Sequence, residues 1–206
     1  LTRLVAIYLY NDMEVLDFAG PFEVFTTASR LHLRDHPGTP PLFDVMTVSH
    51  DLNPVTARGG LTVVPGRTTP ENLPVDVLII PGGAVTAELE RHETSAWLKR
   101  VAERCEIVAS VCTGAFLLAR ADVLRASPAT THWEDVADLQ TMFPDLDVQT
   151  DVRWIDNGKV VTSAGISAGI DMSLHLVSRL AGIDLARRTA RQMDFDWNRQ
   201  APPAEM

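Results

Sequence analysis

The run Ile107-Val108-Ala109-Ser110-Val111 ends in one cysteine, Cys112, and then meets two small residues, Gly114 and Ala115. A helical apolar pattern, Phe116, Leu117 and Leu118, follows at once. This order predicts strand, sharp turn and helix, with Cys112 at the turn. A nucleophile elbow is built in this way: the turn lifts the side chain clear of the sheet, and small neighbours let the backbone crowd there. The N-terminal N–H groups of the following helix would point at the sulfur, which predicts a lowered thiol pKa. An arbitrary cysteine is more often a small buried hydrophobe. Its position at a strand end weighs against that here, because open parallel sheets carry their sites at the carboxyl ends of strands.

Other runs give the elbow a context. Leu4–Tyr10 is continuously apolar and Val75–Ile80 nearly so, as strands covered on both faces are, and Phe43–Val48 alternates. Pro21 is placed where a first helical turn accepts proline, so a helix is predicted through Phe22, Val24, Phe25 and Ala28. Leu89, Trp97, Leu98 and Val101 mark another helix, and Trp133–Phe143 a third. Gly59-Gly60 sits between two short extended pieces in Asn53–Val64, and Asn157-Gly158 lies between Val152–Ile155 and Val160–Thr162. Both predict hairpins. Ile170 to Ala181 suits a long helix, and Asp184 to Met193 another, before a fraying tail from Ala201 to Met206. Strands alternating with helices predict an α/β three-layer sandwich around a mostly parallel sheet, in one domain over residues 1–206.

Composition narrows the function classes. A net charge of −9 without a Lys/Arg block disfavours nucleic acid as a partner. No apolar stretch reaches the roughly 18 residues of a membrane span, and the start Leu1–Tyr8 lacks a signal-peptide pattern, so a cytoplasmic protein acting on a small molecule is expected. Cys105 and Cys112 are too few for a disulfide framework or a cysteine zinc site. No phosphate loop or dinucleotide fingerprint occurs, so neither a metal nor a cofactor is expected.

Three further segments fall in loops at the same sheet end. Asp17 is an acid inside the apolar stretch Val15–Pro21, expected just before a helix. Its local role would be to satisfy helix N–H groups, and its chemical role to hydrogen-bond the cysteine or substrate and move protons. Gly82-Gly83 lets backbone approach a ligand and offers N–H groups to a developing negative charge. His132, in Thr130-Thr131-His132-Trp133, stands at a junction from which it reaches the site, although a structural histidine is the commoner outcome.

These residues together resemble the ThiJ/PfpI superfamily, with its amidotransferase-like, flavodoxin-like fold and elbow cysteine. The carrying motifs are Leu16-Asp17-Phe18-Ala19-Gly20-Pro21, Ile80-Pro81-Gly82-Gly83, Ser110-Val111-Cys112-Thr113-Gly114, Ala129-Thr130-Thr131-His132-Trp133 and Gly165-Ile166-Ser167-Ala168-Gly169-Ile170-Asp171. The pattern is similar to the isocyanide hydratase group, and to the amidotransferase-like domain of AraC-type regulators, whose helix-turn-helix half is not expected here. Asp17 and Thr113 stand where the peptidase-like branch has glutamate and histidine. The resemblance implies Cys112 and Asp17 as catalytic residues, Thr113 and His132 as supporting ones, and the backbone of Gly83 and Thr113 as the anion-binding pair. It also implies a homodimer. The expected reaction is hydration of an isocyanide to an N-substituted formamide. The alternatives are a small-molecule or redox-sensing module, and a glyoxalase- or deglycase-like activity on reactive carbonyls.

Overall fold

The computed structural model describes residues 1–69, 73–125 and 127–199. The expected fraying tail from Ala201 to Met206 lies outside the described residues. The chain begins with β1 (Arg3–Tyr8), α1 (Val15–Asp35) and β2 (Phe43–Ser49). A small hairpin follows, β3 (Val55–Thr56) and β4 (Thr62–Val63), with Gly59 and Gly60 at φ +73° and +85° in its turn. Then come β5 (Arg67–Thr68), β6 (Val77–Ile80), α2 (Thr86–Glu90), α3 (His92–Arg104), β7 (Ile107–Val111) and α4 (Gly114–Arg120). The last part holds β8 (Pro128–Ala129), α5 (Val136–Met142), β9 (Asp147–Val148), β10 (Trp154–Asp156), β11 (Val160–Ser163), α6 (Ala168–Ala181) and α7 (Ile183–Gln192).

Seven strands form one sheet in the order β10-β11-β7-β6-β1-β2-β5. Every pairing is parallel except β10 with β11, the hairpin predicted at Asn157-Gly158, where Gly158 has φ +80°. Every residue of β6 and β7 is buried, which is why these strands read as apolar runs, interrupted only by the small Ser110 in β7. Helices α1, α6 and α7 pack on one another in one layer, and α2, α3 and α4 in another. This is the expected α/β architecture with a mostly parallel sheet.

The topology places the site. From β1 the chain crosses to β2 on one side, and later returns to β6 on the other. The loops leaving the carboxyl ends of β1 and β6 therefore diverge and open a crevice between them, the usual ligand position in such sheets. Here the crevice is partly zipped: Glu14 N–H donates to Gly82 O at 2.8 Å and Ala84 N–H to Asp12 O at 3.0 Å.

Three expectations need correction. Helix α1 starts at Val15, so Pro21 lies inside it rather than in its first turn, and Asp17 is helical rather than in the preceding loop. Proline removes one N–H bond within the helix. The apolar face Phe18, Val24, Phe25 and Ala28, buried in the core, holds the helix across that gap. The second region, read as one helix, is divided at Arg91, where an extended backbone (ψ 101°) separates α2 from α3. Trp133 lies in a 3-10 turn, Trp133–Asp135, rather than in the α-helix that follows it.

Candidate active site

Cys112 is the first residue after β7 and has φ +56°, a left-handed conformation uncommon outside glycine. Such a backbone costs about 1–3 kcal/mol and persists only where its surroundings hold it. They do so from both sides: Cys112 N–H donates to Ser163 O at 3.1 Å, and Thr131 Oγ1 donates to Cys112 O at 2.9 Å. Helix α4 begins two residues later, giving the strand, sharp turn and helix that the sequence predicts. Three glycines make room. A Cβ on Gly114 would collide with the Ile80 carbonyl, and one on Gly82 would lie 2.8 Å from Cys112 Cβ. A Cβ on Gly165 would lie 2.8 Å from Cys112 Sγ and 2.7 Å from His132 Cδ2.

Asp17, in the first turn of α1, is wholly buried. Its Oδ2 accepts the Gly82 N–H at 3.0 Å. Its Oδ1 has no hydrogen bond of normal geometry, and the Cys112 thiol acts on the carboxyl group. Burial pushes the Asp17 carboxyl up to about 7, against the pull of the Gly82 N–H. Burial, and then the Asp17 charge, push the Cys112 thiol up to about 12. This direction is opposite to the one expected from the helix N-terminus. Desolvation and a neighbouring carboxylate outweigh the N–H groups of a seven-residue helix. The two groups resist carrying two negative charges at once, so near neutral pH the pair keeps at least one proton.

The Asp17 shift makes stability depend on pH. The carboxyl binds its proton more tightly folded than unfolded, so between about 4 and about 7 the folded chain holds a proton that the unfolded chain has lost. Its contribution is therefore present at low pH and is lost as pH rises through that window. At about 1.4 kcal/mol per unit the upper bound is on the order of 4 kcal/mol. Asp17→Asn should remove that slope, so the variant should gain stability over the unmodified chain from pH 5 to pH 8 in parallel urea titrations. Equal pH dependence in the two proteins would place the carboxyl pKa near its ordinary value.

The other predicted residues meet the same point. Thr113 Oγ1 donates to Gly83 O at 2.9 Å and accepts the Gly83 N–H at 2.8 Å. The Gly83 N–H is therefore taken up by a side chain here, whereas the sequence reading expects it free for an anion. The Thr113 N–H acts on the Cys112 sulfur and favours its charged form. His132 lies against Gly165 beside the sulfur, with its Nδ1 3.3 Å from Asp135 Oδ2. A cavity of about 230 Å³ opens over these groups, lined by Cys112, Thr113, Gly83 and His132 together with Glu14, Arg58, Glu134, Asp135 and Ile166.

A sequence model of the DJ-1/PfpI family matches residues 3–179. The chain belongs to the DJ-1/PfpI family. An isonitrile hydratase from Pseudomonas putida is 33% identical over 202 residues, covering 97% of this chain and 80% of the relative. The HTH-type transcriptional regulator GbdR of Pseudomonas aeruginosa is 30% identical, covering 93% of this chain and half of the regulator. Among solved structures, a ThiJ/PfpI family protein from Pseudomonas syringae superposes with a TM-score of 0.83 at 27% identity, covering 98% of this chain and 78% of that one.

Within this DJ-1/PfpI chain the structure adds site residues that the sequence reading missed. Arg58 is carried by the turn of the β3–β4 hairpin, and its N–H donates to Met13 O at 2.9 Å. That bond folds the hairpin onto the loop after β1, where Arg58 Nη1 lies 3.5 Å from Glu14 Oε2. Gly59-Gly60 signals the hairpin but not where it points. Glu134 and Asp135 follow His132-Trp133 and were legible only as polar neighbours. The last family motif also gains a role. Asp171 is buried, takes the Arg153 Nε at 2.7 Å and the Asn198 N–H at 2.8 Å, and so ties the segment beyond α7 to the start of α6.

Proposed function

We propose that this chain is a hydratase that adds water to an isocyanide, giving an N-substituted formamide. The observation that carries this reading is the buried Asp17 carboxyl, its Oδ1 without a normal hydrogen bond, beside the Cys112 thiol that lines an open cavity. A carboxyl that titrates near 7 is matched to moving protons at neutral pH. The likeness to an isonitrile hydratase along 97% of the chain supports the substrate class.

In the attacking form the thiol has passed its proton to Asp17, and the charge sits on the Cys112 sulfur. Sulfur bonds to the terminal isocyanide carbon, and Asp17 gives its proton to that carbon, leaving a thioimidate. Asp17, now a carboxylate, takes a proton from water as the oxygen adds to the same carbon. Asp17 passes that proton to the nitrogen; the carbon–sulfur bond then breaks with its electron pair returning to Cys112, the hydroxyl proton goes back to Asp17, and the formamide leaves. Water is the only co-reactant, and the polarised triple bond needs no cofactor. The N–H of Thr113 meets the negative charge, joined by that of Gly83 once the Thr113 hydroxyl turns away. His132 positions the substrate.

Purified protein incubated with alkyl and aryl isocyanides should release the matching formamides, detected by mass spectrometry. Absence of formamide across such a panel, from folded protein whose Cys112 is reduced, would refute the reading. A second reading is supported by the GbdR likeness over half of that regulator: a module that binds a small molecule at the same cavity without turning it over. Saturable binding without product distinguishes it.

A further inference from the structure

The cavity mouth carries an uneven set of charges. Glu14 reaches it from the start of α1, Arg58 from the hairpin turn, and Glu134 and Asp135 from the turn after His132. Arg58 is the one cation among these lining residues, and Glu14 offsets it at 3.5 Å. Glu134 and Asp135 face the His132 ring, at 3.8 Å and 3.3 Å from Nδ1. The Asp135 side chain is 34% exposed and the Glu134 side chain 63%, so water screens Asp135 less. Asp17, wholly buried with Oδ1 unpaired, adds its charge to the surroundings of Cys112. Carboxylates thus surround the path to Cys112 with one, already paired, positive group.

We propose that this entrance selects by charge, favouring electrophiles that carry a positive group over those that carry a negative one. This deepens the reading of the same site and rests on it for the reaction. The substrate class is then an isocyanide whose substituent is cationic, and Glu134 and Asp135 are specificity-determining residues. A cleft lined by one sign of charge concentrates ions of the other and changes encounter rates by about 10- to 1000-fold.

The test measures charge at the sulfur without turnover. The full chain is treated with two methanethiosulfonate reagents of matched length, one ending in trimethylammonium and the other in sulfonate. In either case the Cys112 sulfur attacks the reagent's divalent sulfur. A disulfide forms, methanesulfinate leaves with its electron pair, and the thiol proton passes to solvent. Modification of Cys112 is followed by peptide mass spectrometry. Each rate is divided by that of the same reagent with 2-mercaptoethanol. The normalised cation-to-anion ratio should be about tenfold or more at low salt, and should fall as salt screens the mouth. Replacing Glu134→Gln and Asp135→Asn together should bring it toward one. Arg58→Gln should raise it. A ratio near one in the unmodified chain, or one that neither variant moves, would overturn the inference. Formamide production alongside a ratio near one would refute the charge selection alone. A high ratio without formamide would refute the hydratase alone.

Discussion

Replacing Asp17 with Asn should slow formamide production by about two orders of magnitude or more, the usual scale of general acid–base catalysis. Replacing Cys112 with Ala should abolish it. The asparagine oxygen can still accept the Gly82 N–H, so the shape of the site is kept while the ionisable group is lost. If carboxyl and thiol act as one unit, the double variant is no slower than Cys112→Ala alone. Circular dichroism on all three variants separates chemistry from folding. Neither change deletes core volume on a large scale, so the spectra should match. Near-normal turnover in Cys112→Ala would refute a covalent route. A marked loss of structure in Asp17→Asn would show the carboxylate to be a helix-terminus support instead.

Gly114→Ala should damage the fold itself. The added methyl would meet the Ile80 carbonyl oxygen and lie 3.0 Å from the Pro81 oxygen, both backbone atoms that cannot rotate away. Overpacking of this kind costs about 1–3 kcal/mol, and more where rigid backbone must move. A loss of about 3 kcal/mol in urea titration is expected, with the midpoint falling to match. Gly66→Ala is the control: its nearest neighbour would be Thr47 O at 3.5 Å, an ordinary contact, and the change should stay within about 1 kcal/mol. Similar losses in both variants would mean that α4 can shift away from the end of β6.

The strands that build the site were legible because they are buried on both faces. Val77–Ile80 is apolar throughout and Ile107–Val111 is broken only by the small Ser110, a pattern that suits an enclosed parallel strand at that length. The turn at Cys112 was legible because only small residues fit after it. The helical setting of Asp17 was hidden by Pro21, since proline's local preference for a first turn is overridden by the apolar face on either side of it. Two-residue strands such as β5, β8 and β9 carry too few side chains to show a period. The direction of the Cys112 pKa shift was missed because burial depends on what the rest of the chain lays over the sulfur. The charged mouth was missed because Glu14, Arg58 and Asp135 come from three separate loops, and only the crossing pattern of the sheet brings them together.

That crossing pattern bears on how the molecule is made. Strand β1 has β2 as its neighbour early in synthesis, but its other edge waits for β6, and β6 in turn waits for β7. Until then an apolar ribbon with unmatched backbone groups faces the ribosome exit and its chaperones, the kind of intermediate prone to association. Asp17 emerges long before Cys112, and the walls supplied by His132 and Gly165 emerge later still. The nascent protein therefore carries an ordinary carboxylate and an ordinary thiol. Their partnership begins only when the last parallel strand, β11, docks on β7 and Ser163 takes hold of the cysteine's backbone.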